Sequence, residues 1–454
     1  MVGGGKKISA VSARARTRRN KARSSSFPLF PDMFTKAVIV LLISLLVWTY
    51  QTIIQPPPPN ICGLPGGPPV TSPRIKLSDG RYLAYRERGV AKEKSEFKII
   101  MVHGFDNSKD MALVASQELI LELRIYFLSF DRAGYGESDP NPNRSVKSDT
   151  FDIQELADKL QLGSNFYVVG ISMGGYPTWG CLKYIPNRLA GAALVVPIVN
   201  YWWPSFPCHL SREAYKRQLR RDQWKLRIAH YVPGLLYWWM SQKWFPSSSY
   251  VEIVPEVYGN RDKQILKMMS GTLTHNQEKI RQRDVFDTLR HDFIVAFGDW
   301  EFDPMELSNP FLQNEGSVHI WQGYEDKVVP FQLQRCISKK LPWIQYHEVP
   351  GGGHLIVHYT ALGAVLEGVQ KPRMLVKRFL RTEIKASSSK KVANPLILHA
   401  YRSLIRMKDL SNVVCYNWVT TLVPGLPLKQ GLSCNLRTCL AFVENVADRR
   451  QPLQ

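Results

Sequence analysis

Three polar side chains in this sequence have the types and settings that nucleophilic catalysis needs. Gly170-Ile171-Ser172-Met173-Gly174 follows the apolar run Phe166–Val169 and leads through Gly175 into a helix-compatible stretch. A serine at such a strand-to-helix turn can be held with its hydroxyl exposed, because glycines on both flanks carry no Cβ to clash where strand and helix meet. A Gly-rich turn with a capping serine is the plain alternative; the strand–turn–helix setting favours the nucleophile. A serine hydroxyl attacks poorly until a base accepts its proton. His354, after Gly351-Gly352-Gly353 and the last apolar strand, is the candidate base, with His358 as its competitor. His-x-x-x-His resembles half a metal site, but Leu355 stands where a zinc protease carries its glutamate, so no metal is expected. Asp326, in Gly323-Tyr324-Glu325-Asp326, would orient the imidazole and stabilise its charged form, with Glu325 as the alternative acid. No carboxylate closely follows Val196 (Pro197-Ile198-Val199-Asn200), which disfavours an acid placed earlier. The chemistry implied is acyl transfer through a serine, without a cofactor.

These groups need a scaffold that brings positions 172, 326 and 354 together. Arg81–Gly89 alternates like a half-buried strand after the turn Ser78-Asp79-Gly80. Lys98–His103, Arg124–Asp131, Phe166–Val169, Ala192–Val196, Val318–Trp321 and Trp343–Val349 are short apolar runs that end in Gly-rich or polar loops. Separated by helix-length stretches, they describe a mostly parallel sheet covered on both faces. In such sheets the ligand site lies beyond the carboxyl ends of the strands, and all three candidates follow such an end.

The motifs from about Pro73 to Gly363 resemble the α/β-hydrolase superfamily: His103-Gly104-Phe105 its H-G-x loop, Asp131-Arg132-x-Gly134-x-Gly136-x-Ser138 its D-R-x-G-x-G-x-S loop, Gly170-x-Ser172-x-Gly174 its elbow. The order Ser, Asp, His along the chain matches as well. Cys62–Gly89, with P-G-G-P-P-V-T-S-P-R-I-K-L-x-D-G-R, resembles a membrane-anchored land-plant branch. The resemblance implies the α/β-hydrolase fold, a mostly parallel central sheet flanked by helices, with an inserted helical lid. It implies that the backbone N–H groups of Phe105 and Met173 form an oxyanion hole, and that His103 and Asp131 hold loops. A serine rather than an aspartate at the elbow argues against dehalogenase and epoxide-hydrolase relatives.

The expected organisation is a core in two parts, 73–197 and 317–363, interrupted by a lid at 198–316. The lid has a basic helical stretch, Arg212–Arg227, among Trp202-Trp203, Tyr237-Trp238-Trp239 and Trp244-Phe245. Most of these aromatics are expected to pack the lid onto the core and some to line an apolar pocket, which suits a small, uncharged, hydrophobic ester or a lipid-like substrate.

Lys and Arg number 59 against 38 Asp and Glu, a net +21. The excess sits at the ends: +8 in residues 1–36 and +11 in 371–454, leaving +2 for the 334 residues between them. A body so close to neutral is not a nucleic-acid-binding domain. Ala37–Ile54 reads as a transmembrane signal anchor, a buried core helix being the alternative. Arg14 to Lys36 precede it, which puts the N-terminus in the cytosol and the body in the lumen of the secretory pathway. An Arg/Ser-rich transit peptide for a plastid or mitochondrion is the rival reading of residues 1–31. A Pro-rich stalk at 55–72 follows, stiffened by Pro56–Pro59. The 364–454 tail is basic and atypical, and the family resemblance stops near its start. Seven cysteines are too few for a disulfide scaffold; Cys62 and Cys208 could pair in a lumen, and Cys434 and Cys439 make a weak zinc pattern. The leading function is a serine esterase or lipase-like hydrolase. A ligand or hormone receptor on the same fold and an inactive interaction protein are the alternatives.

Overall fold

The computed structural model describes residues 29–51, 56–112, 115, 117–242, 244, 258–267, 286–311 and 316–358. The basic segment before residue 29, the expected end of the anchor at Ile53-Ile54, and the 364–454 tail with Cys434 and Cys439 lie outside them.

Eight strands form one sheet: β1 Arg74–Lys76, β2 Tyr82–Gly89, β3 Phe97–Val102, β4 Ile125–Phe130, β5 Phe166–Ile171, β6 Leu189–Val195, β7 Val318–Gly323 and β8 Ile344–Val349, in the order β1-β2-β4-β3-β5-β6-β7-β8. β1 and β2 run antiparallel and β3 to β8 are parallel. Strands buried on both faces are free of the in–out polar alternation, and β4 (IYFLSF) is buried at every position. Side chains still alternate between the faces. Ile100, Val102, Leu128 and Val168 pack in the larger core with Leu156, Trp179 and Leu333, whereas Ile99, Met101, Phe127 and Val169 pack in the smaller one with Leu119 and Ile120. β1 is a short addition at the sheet edge that the sequence pattern did not announce.

α1 Leu29–Thr49 precedes the sheet, and α2 Gln117–Glu122, α3 Val146–Lys159 and α4 Gly175–Tyr184 lie between strands. α3 starts on a reciprocal cap: Ser145 Oγ accepts from Ser148 N–H and Ser148 Oγ from Ser145 N–H. Such a cap contributes about 1 kcal/mol.

Between β6 and β7 come α5 Cys208–Lys216, α6 Arg220–Tyr231, α7 Leu236–Ser241, α8 at residues 260–267 and α9 Phe286–Phe297; α10 Phe331–Lys340 joins β7 to β8. The single basic stretch expected at Arg212–Arg227 is two helices, broken at 217–219. The aromatics fasten this insertion down. Trp202 stacks on His230 at 4.3 Å, and Trp203 stacks on Phe206 and meets Trp179 and Trp300 edge-on.

α1 is different in kind. Its apolar side chains face outward, Leu41 and Leu46 both 69% exposed. Among the described residues no helix is long and apolar enough to cross a membrane. The segment before β1 is clipped to the body. Glu137 accepts hydrogen bonds from the N–H and hydroxyl groups of both Thr71 and Ser72. Burial works against its charge, but these four bonds outweigh it and hold the carboxyl at about 2. Cys62 donates its thiol to Pro69 O, and Cys208 is an exposed free thiol, so the two are not joined.

Candidate active site

β5 ends at Ile171, residues Ser172–Gly174 form one 3-10 turn, and α4 starts at Gly175. Ser172 has φ +52°, a left-handed conformation that costs a non-glycine residue about 1–3 kcal/mol. The strain is held by the crowding around it. A Cβ on Gly170 would lie 2.2 Å from Thr178 Oγ1 and 2.3 Å from Gly174 O, and one on Gly174 would lie 2.2 Å from Val102 O. The two flanking glycines are therefore steric requirements of the turn, and Ser172 is the residue it presents.

His354 reaches Ser172 from the loop after β8. Its Nε2 is 3.0 Å from Ser172 Oγ and its Nδ1 is 2.9 Å from Asp326 Oδ2. Asp326, after β7, is buried and also accepts from Val328 N, Val329 N and Gln322 Nε2 at 2.8–3.0 Å. With its carboxylate accepting throughout, Nδ1 must carry the proton, and the Nε2 lone pair faces the serine hydroxyl. Burial disfavours the charged imidazolium, but the charge and hydrogen bond of Asp326, with Asp262 nearby, outweigh it, and the His354 pKa is raised. Glu325 is exposed, whereas Asp326 is buried. His358 lies in the 3-10 turn Ile356–His358, and burial lowers its pKa. The structure thus brings Ser172, His354 and Asp326 into one hydrogen-bonded chain and leaves both competitors out.

Asp262, in α8, was not foreseen. Its two carboxylate oxygens accept the backbone N–H groups of His354 and Leu355 at 2.8 and 3.0 Å. It fits because Gly353 is bare: a Cβ there would meet Asp262 Oδ2 at 2.0 Å. Nothing around Gly259-Asn260-Arg261-Asp262 marks it as a partner of a loop 92 residues away; only the run of three glycines hinted at a close approach.

The loop after β3 closes the other side of Ser172. A Cβ on Gly104 would lie 3.2 Å from Ser172 Cβ, and Phe105 follows, its ring 4.9 Å from that of Phe293 in α9. Met173 is the second residue of the 3-10 turn, where a backbone N–H has no partner within the turn. His103 is buried; its Nε2 accepts Arg132 N–H at 3.1 Å, so Nδ1 carries the proton and donates to Gly104 O at 2.8 Å. Burial first and Arg132 next hold its pKa well below the ordinary value. Asp131 accepts Lys109 N–H, Glu137 N–H and the Lys109 ammonium, tying its loop to the one after β3. Both residues hold loops, as the motifs implied. Among the described residues no group of three His, Cys, Asp or Glu is placed to hold a metal.

The model of the alpha/beta hydrolase family matches residues 99–367, a span that contains every residue of this site. No curated protein matches the chain. Among solved structures, a thermophilic esterase from Thermogutta terrifontis is 19% identical, covering 67% of this chain and 100% of its own with a TM-score of 0.44. An esterase from Exiguobacterium antarcticum is 16% identical over 70% of this chain and 100% of its own, with a TM-score of 0.41. A bromoperoxidase from Bacillus anthracis is 16% identical over 65% and 98%, with a TM-score of 0.42.

Proposed function

The chain belongs to the alpha/beta hydrolase family, and from that premise we propose that it is a serine hydrolase cleaving a carboxylic ester of a small, uncharged, hydrophobic substrate. The observation that carries the reading is the 3.0 Å approach of His354 Nε2 to Ser172 Oγ, with Asp326 behind the ring. Ser172 Oγ attacks the carbonyl carbon while His354 takes its proton. Asp326 keeps the ring in the right tautomer and stabilises the imidazolium. The Phe105 and Met173 N–H groups receive the developing oxyanion, each worth about 3–4 kcal/mol. Collapse expels the alcohol, which takes the proton from His354. Water, deprotonated by the same ring, then releases the acid from the acyl-enzyme. The Phe105 ring, on the loop beside Ser172 and packed against Phe293, supports an apolar substrate. The test is labelling by a fluorophosphonate probe followed by turnover of p-nitrophenyl esters. Labelling of the wild type and not of Ser172→Ala supports an activated serine, and turnover separates an enzyme from a ligand receptor. A folded protein that neither labels nor turns over ester sinks the reading.

We also propose that residues 37–54 attach the chain to a membrane, N-terminus cytosolic and body lumenal. The outward-facing apolar side chains of α1 and the basic residues before it support this. Attachment through apolar burial survives 1 M salt and carbonate, whereas binding through basic tails does not, since the Debye length falls to ~3 Å at 1 M. A lumenal body exposes Asn143, in the acceptor pattern Asn143-Arg144-Ser145, to glycosylation, read as an endoglycosidase shift. A protein extracted by salt alone overturns the attachment.

A further inference from the structure

We infer that Arg132 and Asp292 are positioning residues that aim the Phe105 N–H at the oxyanion, linking helix α9 to the chemistry; the inference rests on the hydrolase reading above. The peptide that matters joins Gly104 to Phe105. Its carbonyl oxygen accepts two hydrogen bonds, from His103 Nδ1 at 2.8 Å and from Arg132 Nη2 at 3.1 Å. The described chain contains no cis peptide bond. In a trans peptide the C=O and N–H point in opposite directions, so holding the Gly104 oxygen fixes where the Phe105 N–H points. Two donors on the carbonyl, one of them cationic, also polarise the peptide and make its N–H a stronger donor.

Arg132 is itself held from the far side. Its two terminal nitrogens meet the Asp292 oxygens at 2.6 and 2.7 Å, and Nη1 also donates to Tyr176 O–H at 2.8 Å. Arg132 and Asp292 are 1% and 0% exposed, so water cannot replace either partner. The neighbouring residue Phe293 packs on the Phe105 ring. Two consecutive residues of α9 thus hold the two ends of Phe105: Asp292 the peptide, through Arg132, and Phe293 the side chain. An ion pair serving stability alone has no need to reach the Gly104 oxygen.

The experiment uses the full chain with Arg132→Met, Asp292→Asn and, as a comparison, Asp149→Asn. Asp149 belongs to the same buried cluster through Arg144 and Tyr176, and its bonds run to those two residues rather than to Gly104. Each protein is assayed for kcat and KM on a p-nitrophenyl ester, for melting temperature, and for inhibition by a trifluoromethyl ketone that adds to the serine as a tetrahedral oxyanion. For Arg132→Met, kcat falls about 10–100-fold with KM within about twofold. The inhibition constant rises by the factor that kcat/KM falls, because both report the oxyanion. Asp292→Asn does the same more weakly, and Asp149→Asn lowers the melting temperature with kcat unchanged. If Arg132→Met does not fold, the near-isosteric Asp292→Asn decides. A folded Asp292→Asn with wild-type kcat and inhibition, or an Asp149→Asn that loses as much kcat, overturns the positioning role and leaves the hydrolase standing. A wild type that neither labels nor turns over ester removes the hydrolase reading, and this inference with it.

Discussion

Asp326 and Asp292 are both buried carboxylates, 5% and 0% exposed, each beside a basic side chain, yet they are wired for opposite ends. Asp326 has three fixed donors and one partner, His354, whose charge can change. That partner passes the effect on to a hydroxyl. Asp292 is surrounded by Arg132, Arg144, Tyr135 and Tyr176, none of which changes charge near neutral pH. The arginines outweigh the cost of burial and hold Asp292 far below the ordinary carboxylate range. A buried carboxylate facing a titratable ring can serve a reaction; one facing only permanent partners can serve geometry. The contrast teaches that burial and strong pairing do not by themselves mark a catalytic acid. What marks it is a chain of bonds that ends on something able to give up a proton.

The widest break of that contrast is at the reactive end. Ser172→Ala and His354→Ala should each lower kcat/KM about 10⁴–10⁶-fold, and the double variant no further, because the groups act as one unit. His358→Ala should stay within a few fold of wild type; ester kinetics that reverse the two histidines refute the assignment.

Asp326→Asn should lose about 10²–10⁴-fold, while Glu325→Gln changes little. A pH profile sharpens this further. Below its pKa His354 holds protons on both nitrogens and cannot take one from Ser172, so activity must rise with pH. The His354 pKa is raised, so the midpoint of kcat/KM lies above 6.5. Asp326→Asn removes the leading upward influence and should move that midpoint down. A wild-type midpoint below 6.5 contradicts the geometry.

On the other side of the comparison, Asp292→Ala leaves two buried guanidinium groups short of a counter-charge and should cost about 3–5 kcal/mol of stability, measured by urea unfolding. The smallest expected effect belongs to His103. It is held neutral in the fold, its pKa well below 6.5 through burial and Arg132, while the unfolded chain takes up a proton near 6.5. Stability should therefore fall as pH drops below 6.5, by at most about 1.4 kcal/mol per pH unit from this group. His103→Gln should flatten that slope; an unchanged slope rejects the account.

The sheet was legible because its strands are short apolar runs bounded by glycines, and the elbow because sterics at Gly170 and Gly174 admit nothing larger. Asp326 could be told from Glu325 only weakly, since adjacent residues leave a strand end in opposite directions and sequence does not say which turns inward. Asp262 and Asp292 were illegible for a common reason. Each acts across a long separation, 92 and 160 residues, on a backbone or guanidinium group that carries no pattern of its own. β1 was missed because three residues, half exposed, show no periodicity. The break between α5 and α6 at 217–219 was hidden by continuous helix-forming composition.

The long insertion between β6 and β7 has a consequence in time. Ser172 and His354 are 182 residues apart, and β1 to β6 pair with one another without help from β7 or β8. At about 5–20 residues per second, a ribosome takes roughly 10–40 s to travel from the serine to the histidine. Throughout that interval the elbow can be folded and strained while its base does not yet exist. The nucleophile proposed at Ser172 therefore lacks its base in the nascent chain until the loop after β8 emerges.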